Sequence, residues 1–158
     1  GNTMKHIITS LVVPALISPI LVCADKGKVP DEPFYPWKAD NFAIEEPIGG
    51  KQGNAERGKQ LALDRKKGNC IACHMLPVED AEFPGQLGPP LVAIGTRYSP
   101  AQIRLRVANE QLINPATIMP PYYIDPNELN NVKKKFRGKT ILSAQETEDV
   151  VAYLSSLK

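Results

Sequence analysis

The pentapeptide Cys70-Ile71-Ala72-Cys73-His74 constrains this chain more than any other feature. Two thiols three residues apart face the same way on one helical turn, and an imidazole follows at once. That is the arrangement covalent haem attachment requires: each sulfur adds to one vinyl group of the ring, and the histidine turns a nitrogen toward the iron. A structural zinc site wants four ligands, whereas the other cysteine and histidine of the chain, Cys23 and His6, lie far upstream. A thioredoxin-like redox pair expects a βαβ context, and residues 55 to 75 show none. A short-loop disulfide is the remaining competitor.

Composition supports a haem at the centre. In 158 residues only 6% are aromatic, thin for one modest domain that must build a core from side chains alone. Nineteen Lys and Arg against seventeen Asp and Glu leave a formal +2, which singles out neither a nucleic-acid partner nor an acidic tail.

Residues 1–24 read as an export signal. Lys5 and His6 precede an uncharged, mostly apolar run from Ile7 to Val22, broken by Pro14 and Pro19 and shorter than the roughly 20 residues of a spanning helix. Val22-Cys23-Ala24 suits cleavage before Asp25, which places the protein in the periplasm with no membrane span. Acylation of Cys23 is the competing reading, and Val22 is bulky for it. Met4 is read as the start. Cleavage would leave Cys70, Cys73, His74, Met75 and Met119 as the sulfur and imidazole ligands of the chain.

Met75 abuts His74 and cannot reach the opposite face of a ring, so a thioether ligand there falls to Met119. It sits in Asn114-Pro115-Ala116-Thr117-Ile118-Met119-Pro120-Pro121-Tyr122, where three prolines stiffen the loop. The alternative is Met119 as a core filler, with water, Lys or Tyr on the iron. His/Met ligation raises the reduction potential and suits an electron carrier. In Gly88-Pro89-Pro90-Leu91, the Pro89 carbonyl is the expected acceptor for the His74 Nδ1 proton.

The helix signals are plain and the strand signals weak, giving an all-α fold. Asn54 caps a helix from Ala55 that ends before Gly68. Ser99-Pro100 opens one running to about Ile113, with Ile103, Leu105, Val107 and Leu112 as its apolar residues. Ser143-Ala144-Gln145-Glu146 is a capping box ahead of Val150, Tyr153, Leu154 and Leu157. Residues 25–53 are rich in Pro and Gly, with Phe34, Tyr35, Trp37 and Phe42 as anchors either for this domain or for another subunit. Lys133-Lys134-Lys135 with Arg137, and Arg65-Lys66-Lys67, are basic runs able to steer an anionic partner.

Gly68-Asn69-Cys70-x-x-Cys73-His74, Ile94-Gly95-x-Arg97-Tyr98, Asn114-Pro115-x-Thr117-Ile118-Met119-Pro120-x-Tyr122-Tyr123 and Gly138-x-x-Ile141-Leu142 together resemble the SoxX family of class I c-type cytochromes. The resemblance spans residues 54–158. It implies a small class I cytochrome c fold and one haem c attached through Cys70 and Cys73, with His74 and Met119 on the iron and Pro89 behind His74. It also implies a SoxA-type haem subunit as partner, a SoxY-type sulfur carrier and a downstream electron acceptor. In such a complex, an L-cysteine S-thiosulfotransferase, this chain would be a non-catalytic subunit while thiosulfate is joined oxidatively to a carrier cysteine. A free periplasmic electron shuttle is the alternative, and a haem enzyme such as a peroxidase a third.

Overall fold

The computed structural model describes residues 32–79, 84–128 and 138–158. The expected export signal and the run Lys133-Lys134-Lys135 with Arg137 lie outside them. The described residues hold four α-helices and no strand beyond a single bridge between Asp40 and Ala43. The helices are α1 (Ala55–Leu63), α2 (Ile94–Arg97), α3 (Pro100–Asn109) and α4 (Ala144–Ser156).

Local chemistry sets their starts. The Asn54 side chain accepts from Arg57 N at the head of α1. Reciprocal capping boxes open α3, through Ser99 and Gln102, and α4, through Ser143 and Glu146. The sequence placed the end of α3 near Ile113, but the helix stops at Asn109. There the side chain of Asn109 accepts from Gln111 N, a local bond that competes with the helical ladder. A 3-10 turn over Glu110–Leu112 follows, and Leu112, expected on the apolar face, is 53% exposed.

α1 crosses α4 at Gly58. A Cβ there would lie 1.9 Å from the Asp149 carbonyl oxygen and 2.8 Å from Tyr153 Cβ, so only glycine permits this approach. α3 is apolar on two sides. Ile103 and Val107, one turn apart, join Val150 and Leu154 of α4 in the main core, while Leu105 and Ala108 join a second cluster with Ile44, Ile48 and Tyr123.

That second cluster packs residues 32–53 on the domain. Phe34 stacks on Tyr123 at 5.2 Å, the Tyr123 hydroxyl accepts from Tyr35 N, and Trp37 Nε1 donates to the Tyr123 carbonyl. Arg104 forks onto Glu148 (2.7 and 3.0 Å) and also donates to the Ile44 carbonyl, while Glu148 accepts from Ile48 N. Both side chains are buried, so the pair stands on this full set of bonds. Three of the four aromatic anchors therefore pack within the chain, and Phe42 is 66% exposed.

Candidate haem site

Asp64 shapes the approach to the pentapeptide by accepting from Lys67 N and Asn69 N through its carbonyl. Asn69 takes the left-handed conformation (φ 51°), which asparagine tolerates, and turns the chain into a 3-10 turn at Cys70–Ala72. The Cys70 carbonyl then accepts from both Cys73 N and His74 N. Cys70, Cys73 and His74 emerge on one wall of a cavity of about 490 Å³, within the size range of ligand pockets.

The next loop is laced to that wall. Gly85 N donates to the Ile71 carbonyl, Gly88 N to Cys73 and Leu91 N to Met75. His74 Nδ1 lies 2.7 Å from the Pro89 carbonyl oxygen. A carbonyl only accepts, so Nδ1 is the donor in this pair, and in the neutral ring that leaves the lone pair on Nε2. Gly88 leaves the ring this place, because a Cβ would stand 2.3 Å from His74 Cε1 and the imidazole would have to shift.

Met119 lines the same cavity. Its loop is organised by side chains as well as by proline: Asn114 Oδ1 accepts from Ala116 N, and Thr117 Oγ1 accepts from Met119 N. Beyond Pro120 and Pro121, Tyr122 N donates to the Val107 carbonyl, and the Tyr122 carbonyl accepts from Ile141 N and Leu142 N. The buried Tyr122 hydroxyl donates to the Gly68 carbonyl at 2.6 Å.

All five residues singled out in the sequence thus border one space. The rest of its wall is largely apolar, including Leu91, Ile103, Val107, Leu142, Val150 and Leu154. The composition of that wall, its volume and the donor set of thiols, imidazole and thioether fit a haem. Sequence reasoning placed Arg97 only in the family pattern, without a role, and did not find Arg106; both line the cavity. Arg97 donates to the Pro90 carbonyl, and Arg106 lies over the Tyr98 ring at 4.1 Å while its Nη1 donates to both oxygens of Glu110.

Burial pushes the Cys70 thiol up to about 11, so it is protonated at neutral pH and unlike the low-pKa thiolate of a redox C-x-x-C. Burial likewise raises the Tyr122 phenol, keeping it a donor. Among the described residues no group of three or more His, Cys, Asp or Glu side chains is arranged to hold a metal ion, and no helix is long and apolar enough to cross a membrane. In the basic run at 65–67, Lys67 Nζ pairs with Glu146 at 2.7 Å.

A family model described as Cytochrome c matches residues 55–158. The crystal structure of SoxXA from P. pantotrophus contains a chain 37% identical to this one, with a TM-score of 0.70. The match covers 77% of this chain and 94% of that chain. No curated protein matches it by sequence.

Proposed function

Because the chain belongs to the cytochrome c family, and within it to the SoxX type, we propose that it is the monohaem electron-transfer subunit of a periplasmic SoxAX-type complex. The observation that carries this reading is the convergence of Cys70, Cys73, His74, Pro89 and Met119 on one cavity in a chain so similar to a SoxXA chain.

Bound haem supplies a one-electron couple between ferric and ferrous iron. Cys70 and Cys73 would hold it covalently through their sulfurs. His74, held by the bond between its Nδ1 and the Pro89 carbonyl, would offer the iron its Nε2. Met119 would offer a thioether, a ligand that favours the reduced state. Arg97 and Arg106 bring two guanidinium groups, suited to the carboxylates a haem carries.

Joining thiosulfate sulfur to a carrier cysteine releases two electrons and the thiol proton, so a one-electron group held here would need two turnovers or a second haem to take them. With Cys70 and Cys73 committed to attachment and Cys23 removed with residues 1–24, the chain keeps no thiol for sulfur. The conjugation itself therefore belongs to a SoxA-type partner. That partner, a SoxY-type carrier, export through residues 1–24 and a single covalent haem are all part of this proposal.

The test is a gentle pull-down of the chain from native periplasm, with covalent haem staining of the denaturing gel. A second haem-staining band beside this chain is the expected result. A lone haem band would overturn the subunit reading in favour of a free shuttle.

A further inference from the structure

The Met119 loop and the attachment segment are far apart in sequence, and one side-chain bond joins them directly: Tyr122 Oη donates to the carbonyl of Gly68, two residues before Cys70. Tyr122 is buried and lines the cavity, and its backbone is fixed on both sides by Val107, Ile141 and Leu142. Only Pro120 and Pro121 separate it from Met119, and their locked φ angles leave little slack between the two residues. On the other side of Met119, its own N–H is held by Thr117 Oγ1.

We infer that Tyr122 is a positioning residue for the sixth ligand: its hydroxyl holds the Met119 loop against the attachment segment and so sets how readily a foreign ligand displaces Met119. The inference rests on the proposed haem ligation. A bond between the two segments that carry the opposing ligands opposes their separation, and exchange at the iron requires such separation. The cost of losing the bond therefore appears in the equilibrium between closed and open loop.

The experiment titrates the haem-loaded, ferric full chain with imidazole and follows its absorption spectrum. Met119→Ala, with no thioether to displace, sets the upper limit of affinity. Tyr122→Phe keeps the ring and deletes one bond, and is expected to bind imidazole about fivefold more tightly than the unaltered chain, the factor one net hydrogen bond is worth. Pro121→Ala, which keeps the hydroxyl bond and slackens the link to Met119, is expected to move the same way and decides the matter if Tyr122→Phe fails to load haem. Unaltered imidazole affinity in Tyr122→Phe, with only its melting temperature lowered, would overturn the inference. Equal affinity of Met119→Ala and the unaltered chain would instead show the ligand assignment itself to be wrong.

Discussion

His74 owes its orientation to a neighbour without a side chain. Gly88 lies so close to the imidazole that even a methyl group would displace the ring, and with it the bond from Nδ1 to Pro89. Gly88→Ala is expected to change the haem absorption spectrum and to lower stability by about 1–3 kcal/mol in urea unfolding, the usual cost of overpacking a filled site. An unchanged spectrum and midpoint would show that the ring has room to move. At this scale the candidate site was largely legible, for a chemical reason. Thiols, imidazole and thioethers are scarce in the chain, so the residues able to meet an iron could be found by elimination. Tyr122, Arg97 and Arg106 were not legible in this way, because tyrosine and arginine serve many purposes and only the folded chain brings them to the cavity.

At the scale of the element, the starts of α1, α3 and α4 were written in Asn54, Ser99 and Ser143, whose side chains cap whatever helix follows. α2 was not, because four residues are too few to show a period. The end of α3 was missed because Asn109 bonds to the backbone just beyond it. How α3 serves two cores also escapes a reading by one apolar face, since Leu105 and Ala108 turn toward residues 32–53. Arg104 joins that segment to α4 through Glu148. Arg104→Met leaves Glu148 buried without its cation and is expected to cost about 3–5 kcal/mol in urea unfolding of the haem-loaded chain. A loss below 1 kcal/mol would mean that water or a neighbouring group replaces the guanidinium.

Over the whole molecule, the sparse aromatic content and the apolar cavity are two sides of one design. The main core is laid around a space that fits a haem, and residues 32–53 pack against the domain as a second cluster. That second cluster could not be anticipated from sequence, where the same aromatic anchors suited an internal and an external surface equally. The family and the electron-transfer role rest on the likeness to cytochrome c and to the SoxXA chain, whereas the reaction proposed for it depends on a partner. The most direct measurement is the absorbance of the purified, haem-loaded chain mixed with thiosulfate, alone and then with a SoxA-type subunit and a SoxY-type carrier. The account predicts haem reduction only when both are present. Equal reduction by thiosulfate alone, or none in the complete mixture, would contradict it.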